Sequence, residues 1–212
     1  LFRNGVILVA TSNTKMEDLY LNGLQRERFM QAIELLKDHT VQIDLKSGVD
    51  YRLQHLEKGQ TFLVDEDHSQ TEWMQEKLAE LAPGKIKHRQ TILIHNRGIH
   101  TIALCDDVVW FDFDELCDTP RAAKDYLEIA KLFHTVLISN IPKLVAAKDS
   151  AAKRFMHLID AFYDHRVKLI ATSELKVEQI YHGVLLTKIF ERTVSRLIEM
   201  ASHDYMAMPH RP

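Results

Sequence analysis

The stretch that most constrains this chain is Gly5-Val6-Ile7-Leu8-Val9-Ala10-Thr11-Ser12-Asn13, an apolar run that ends abruptly in small polar residues. Such a run suits a strand buried on both faces, as in a parallel sheet covered by helices. The polar residues then fall at the strand's carboxyl end, where open α/β sheets place their ligands. A second stretch, Asn22-Gly23-Leu24-Gln25-Arg26-Glu27-Arg28-Phe29, sets two arginines at the start of an apparent helix. A neutral strand-end amide and a helix-borne arginine pair are raw material for nucleotide hydrolysis. The amide can hold an attacking water in line, and an arginine from a neighbouring subunit can stabilise charge on the transferred phosphoryl group.

Beyond these stretches the pattern continues to alternate helix and strand. Residues 24–38 read as a helix with Leu24, Phe29, Ile33 and Leu36 on one face. Val41, Ile43 and Leu45 alternate and predict a strand over 40–45, before a turn at Gly48. A mostly polar segment, 53–70, holds a short strand at Thr61–Val64. A helix over 71–82 is stopped by Pro83-Gly84. Thr91–His95 and Ile99–Leu104 predict a hairpin about Asn96-Arg97-Gly98. Val108–Phe113 predicts another strand. Thr119 is placed to cap a helix over 121–133, with Pro120 at its first position. Val136-Leu137-Ile138 is short and apolar. Residues 150–164 read as a helix, Val167–Ala171 as a strand and 188–202 as a last helix, ahead of a frayed tail from Met206 to Pro212.

The strand–loop–helix pattern of Val6–Ser12 with Leu19-Tyr20 is echoed by Val167–Ser173 with Ile180-Tyr181, each followed by arginines. In the second copy Glu174 stands where Asn13 stands in the first, so the neutral amide is not repeated. Patterning of this kind is common in α/β chains.

Composition narrows the function classes. A chain of 212 residues has room for one large domain or two small ones. Its 46% hydrophobic and 27% charged residues are those of a globular protein. A net charge of −3 argues against a broad nucleic-acid or acidic-membrane surface. No apolar stretch approaches the roughly 20 residues that span a bilayer. Two cysteines, Cys105 and Cys117, unpaired by motif, fit a reducing compartment.

The strings V-A-T-S-N, L-Y-x-N-G-L-Q-R-x-R-F and G-V-D-Y-R-L resemble the ZapE family of bacterial AAA+ ATPases, related to the Afg-type ATPases of mitochondria. The resemblance continues through Phe133-His134-Thr135-Val136, Leu158-Ile159-Asp160, Tyr163-Asp164, Val167-Lys168-Leu169 and Ser195-Arg196-Leu197, with weaker stretches over 57–115. It departs at Lys15-Met16, where the family carries prolines. No G-x-x-x-x-G-K-[ST] occurs, and the chain opens without a methionine just ahead of a core strand. The resemblance therefore implies the C-terminal part of a longer ATPase, inactive by itself.

The fold it implies is α/β, the later strands of a AAA+ P-loop nucleotide-binding core with a β-rich insertion. Residues 1–56 would carry later core strands and a helix, 57–117 the insertion, and 118–212 an α/β C-terminal region. The implied cofactors are ATP and Mg²⁺, the metal ligands lying upstream. The implied partners are further copies of the chain in a hexameric ring and the division protein FtsZ. The implied location is the cytoplasm or, peripherally, the inner face of the membrane.

In this frame Asn13 is the water-orienting amide; read alone it is a turn asparagine. Arg28, beside Phe29, resembles a trans-acting arginine finger more closely than Arg26. The two point to nearly opposite sides of the helix, so only one reaches a neighbour. Arg192 and Arg196 are rival fingers. Arg154 and Arg196 are the candidates for contacts to phosphate from their own chain. For all of these arginines the plain alternative is a solvated helix position. Val108–Glu115 imitates an apolar-run-then-Asp-Glu metal motif, but without a phosphate loop Asp114-Glu115 reads as a helix start. His95 and His100 would lie near each other across the hairpin, with His88 upstream, yet no further ligand falls at zinc spacing. A reading from another class is a non-catalytic α/β interaction module.

Overall fold

The computed structural model describes residues 5–12, 15–19, 26–43, 60–64, 70–82 and 84–212, the side chains of Asp18 and Arg28 excepted. The chain divides into two compact units, Leu1–Gly48 and Val49–Pro212.

In the first unit a short 3-10 turn, Met16–Asp18, precedes helix α1, Arg26–His39. Ile33 is its buried residue, while Phe29 and Leu35 are exposed. The strand expected over the opening apolar run is not formed: Val6 is 45%, Ile7 89% and Val9 90% exposed. A strand needs a ladder, and the described residues of this unit include no other strand to pair with. For the same reason 41–43 is not a strand, with Val41 and Ile43 exposed. Asn13 and Gly48 lie outside the described residues.

The second unit is a three-layer α/β/α sandwich. Its strands are β1 (Phe62–Val64), β2 (Lys87–His88), β3 (Thr91–Ile94), β4 (Arg97–His100), β5 (Ala103–Cys105), β6 (Val108–Asp112), β7 (Thr135–Ile141), β8 (Leu144–Val145), β9 (Lys168–Ser173) and β10 (Tyr181–His182). Six of them form one sheet in the order β1-β9-β7-β6-β5-β2. The first four of that order run parallel, and β5 and β2 join antiparallel. Segment 57–117 and segment 118–212 thus contribute to the same sheet.

The helices of this unit are α2 (Gln70–Leu81), α3 (Ala123–Leu132), α4 (Asp149–His165), α5 (Thr187–Met200) and α6 (His203–Ala207). The two-residue period of the strands divides the core between the sheet faces. Val109, Phe111, Val136, Ile138, Leu169 and Ala171 pack in one cluster with α3, α4 and α5. Val108, Trp110, Leu137 and Ile170 pack in the other with Met74, Leu78 and Leu81 of α2. Strands covered on both faces show no polar alternation, hence the near-continuous apolar runs of the sequence.

Three local expectations need correction. The hairpin turns at His95-Asn96, both left-handed (φ 49° and 61°), so Ile94 pairs with Arg97 and Gly98 sits in β4 opposite Leu93. A two-residue loop of this hand matches the right-handed twist of the flanking strands. His95 and His100 consequently lie at opposite ends of the ladder. The helix after Pro120 starts at Ala123. Its cap comes from Asp125, whose Oδ2 accepts the Ala122 N–H at 2.8 Å, while the Thr119 hydroxyl turns back to Glu115 O.

The tail is anchored rather than frayed. Tyr205 and Met206 are buried, and Lys168 Nζ donates to Tyr205 O at 2.9 Å and Met208 O at 2.7 Å. Arg211 N donates to His165 O, and His210 Nε2 meets Ala130 O at 2.7 Å. A buried ammonium must find acceptors, and the tail carbonyls provide them.

Candidate functional site

In the first unit, α1 begins at Arg26, which puts Arg26 and Arg28 in its first turn. Arg26 Nη2 donates to Glu17 O at 2.8 Å, and Lys37 Nζ lies 3.7 Å from Glu17 Oε1. The Arg26 guanidinium is thereby engaged by its own loop. Arg28 follows two residues later, roughly 200° around the helix. Asn13 stands outside the described residues, one position after the exposed Ser12.

In the second unit Arg154 and Arg196 serve neighbouring elements. Arg154 Nε donates to Cys117 O at 2.5 Å, tying α4 to the π-helical turn Asp114–Asp118. Arg196 pairs with Asp160, lies 3.6 Å from Asp164 Oδ1 and stacks 4.7 Å over the Tyr163 ring, joining α5 to α4. Both cysteines are buried free thiols, and burial pushes the Cys117 thiol up, away from the reactive thiolate. Among the described residues no three of His, Cys, Asp and Glu converge on a point where a metal could sit. Nor, among them, is any helix long and apolar enough to cross a membrane.

The carboxyl edge of the sheet, where this class of fold binds ligands, is built by residues the spacing argument did not single out. Asn140 stands at the end of β7 with φ 63°, its amide donating to Asp112 Oδ2 at 2.6 Å and its backbone N to Thr172 Oγ1 at 3.2 Å. Ser139 Oγ receives the Trp110 indole N–H at 3.1 Å, and Ser173 Oγ donates to Ile141 O at 2.9 Å. Three strand ends, β6, β7 and β9, are laced together in this way. The signal was present: Ser139-Asn140 closes an apolar strand just as Ser12-Asn13 closes the opening run. Asp112 begins the apolar-then-acidic pattern, and its carboxylate is met by Asn140 and by the Asp114 N–H at 3.0 Å.

A family profile described as AFG1-like ATPase matches residues 1–209. The cell division protein ZapE of Escherichia coli is 38% identical over 211 residues, 99% of this chain and 56% of that protein. Lactation elevated protein 1 homolog B of Danio rerio is 30% identical over 240 residues, 97% of this chain and 48% of that protein. The chain thus spans about half the length of the curated relatives it matches. No solved structure matches it. The mostly parallel α/β sheet agrees with the fold expected of P-loop AAA+ proteins. Matched along almost every residue, the chain belongs to the AFG1-like ATPase family.

Proposed function

We propose that this chain is part of a ring-forming AAA+ ATPase that hydrolyses ATP, with Asn13 orienting the attacking water and Arg28 acting on the nucleotide of a neighbouring subunit. The observation that carries the reading is the engagement of Arg26 by Glu17 of its own chain, which makes Arg26 the weaker candidate of the two for a neighbour's nucleotide. An arginine supplied in trans is worth on the order of 10³–10⁵ in rate. Arg154 and Arg196, engaged within their own unit, hold α4 and α5 in place in this reading. Mg²⁺ would accompany the ATP, and among the described residues no three of His, Cys, Asp and Glu converge to hold it. The name of the Escherichia coli relative, a cell division protein, supports a place in bacterial cell division. A hexameric ring, FtsZ as partner and the cytoplasm or inner membrane face as location complete the proposal.

The second reading, a non-catalytic interaction module, draws on an exposed apolar corner at Val184, Leu185 and Ile189. Mixed assemblies of the full-length protein separate the two. Arg28→Ala subunits and subunits unable to bind ATP should each be nearly inactive, and mixing them should restore part of the turnover. Arg26→Ala should cost less. Full turnover by Arg28→Ala alone, or loss only with Arg192→Ala or Arg196→Ala, would reject the assignment of Arg28. Absence of turnover in the intact full-length ring would favour the interaction module.

A further inference from the structure

The net charge of −3 hides a local reversal. Lys85-Ile86-Lys87-His88-Arg89 runs along the antiparallel edge of the sheet, and β2 within it is the edge strand. The end of this run opens onto a cavity of about 740 Å³ whose wall includes His88, Arg89, His100, Gln75, Asp112 and Glu115. That size lies within the range of small-molecule sites.

Both acids in the wall have hydrogen-bond donors, and Glu115 is also ion-paired. Glu115 Oε1 accepts from Arg121 Nη2 at 2.6 Å and from His100 N at 3.1 Å. Asp112 accepts from the Asn140 amide and the Asp114 N–H. On the cationic side, Arg89 is exposed, and its guanidinium makes no hydrogen bond or ion pair among the described residues. The His88 ring is likewise without a partner among them, and His100 uses Nδ1 with Thr91 Oγ1 at 3.0 Å, leaving Nε2.

The turn is also fixed in a costly shape. Arg89 has φ 52°, a left-handed conformation that an arginine rarely adopts. It is held there by Arg89 N to Ile102 O at 3.0 Å, by Gln90 Nε2 to His88 O at 2.8 Å and by Thr101 N to Gln90 O at 2.8 Å. Strain of this sort, maintained by surrounding bonds, concentrates at ligand sites.

We infer that this cavity binds a small soluble phosphate ester, with the Arg89 guanidinium gripping the phosphoryl oxygens and His88 and His100 donating from either side. A guanidinium fork matches a phosphate bidentately. A half-open wall with glutamine and hydrogen-bonded carboxylates beyond the cations suits the hydroxyls of a small ester better than a flat anionic surface.

The test uses full-length protein carrying ring-labelled histidine, titrated with inorganic phosphate and followed by NMR. His88→Gln and His100→Gln assign the two signals, so the readout reports this cavity and not a nucleotide site elsewhere in the protein. Saturable shifts of both signals are expected, larger than with chloride at equal ionic strength. Arg89→Asn keeps a residue that tolerates the left-handed backbone while removing the guanidinium, and should weaken binding at least tenfold, a loss in line with one charge-assisted contact. Arg89→Lys should recover part of it. Shifts that match those in chloride, or an Arg89→Asn titration equal to wild type, would overturn the proposal. So would Arg89-dependent sedimentation with phosphatidic acid vesicles in the absence of any saturable phosphate response.

Discussion

The carboxamide of Asn140 donates to Asp112 Oδ2 at 2.6 Å, tying the ends of two neighbouring parallel strands across the sheet edge. Because Asn140 is left-handed, it joins two effects that can be separated. Asn140→Ala should destabilise by about 1–2 kcal/mol, summing the conformational cost and the lost bond. Asn140→Gly, which accepts that backbone freely, should lose about half as much. Urea unfolding followed by the fluorescence of Trp110, bonded to the adjacent Ser139, measures both. Equal losses for the two variants would show that the backbone conformation contributes nothing.

Asp125 joins the hairpin to the start of α3. It is 1% exposed, meets Arg97, and has His95 Nδ1 at 3.3 Å from Oδ1. Burial works to raise its pKa, but the Ala122 N–H, Arg97 and His95 outweigh burial and hold the carboxyl below its ordinary value. A depressed folded pKa contributes stability that is present above the unfolded value, about 3.9, and lost as pH falls through the folded one. Wild-type protein should therefore lose stability faster than Asp125→Asn below about pH 4, while Asp125→Asn is the less stable of the two at pH 7. Parallel stability–pH curves would contradict this.

Gly183 leaves no room for a side chain. A Cβ there would stand 2.1 Å from Tyr181 Oη and 2.8 Å from Asp149 Oδ1. The displaced hydroxyl is the one that donates to Asp149 at 2.7 Å and accepts from Leu186 N at 3.1 Å. Gly183→Ala should cost about 1–3 kcal/mol. In a Tyr181→Leu background the same change should cost much less, the shortfall measuring the coupling. Additive losses would place the strain elsewhere.

Lys168→Met should keep the unbranched stem of the side chain but leave the carbonyls of Tyr205 and Met208 without their charged donor, at a cost of about 2 kcal/mol. Hydrogen exchange should then accelerate at the Met208 and Arg211 amides, which in the intact protein bond to Tyr205 O and His165 O. Unchanged exchange there would mean that the tail is held by burial of Tyr205 and Met206 and by its remaining bonds, without Lys168.

The parts of the fold written in the sequence are those where burial decides. The runs Val108–Phe113, Val136–Ile138 and Val167–Ala171 are apolar because helices cover both faces, and α2, α4 and α5 follow from their periodicity within two residues. What escaped depended on single hydrogen bonds or on neighbours. Nothing local distinguishes a turn at His95-Asn96 from one at Asn96-Arg97-Gly98. Asp125 caps Ala122 locally, but its pairing with Arg97 and His95 depends on where the hairpin lies. The frayed-looking tail is fixed by Lys168, a residue that in the sequence only interrupts an apolar strand. The opening run has the composition of a central strand, but composition supplies no partner for its ladder. At the candidate site, the arginine pair was legible as a helix start, while the bond from Arg26 to the Glu17 carbonyl joins residues nine apart and leaves no mark in the helical spacing.

The pairing of β1 with β9 sets Phe62 opposite Ala171, so the outermost parallel strand is joined to a neighbour made much later in synthesis. A three-residue ladder that closes about a hundred residues of chain is slow to form and late to be rewarded. While the ribosome is still making β6 and β7, the segment around Phe62 has no edge to join and remains a short apolar strand in search of one. The newborn chain therefore passes through an interval in which this segment is a target for chaperones or for the same segment of another nascent copy. That interval ends when Lys168–Ser173 leaves the exit tunnel.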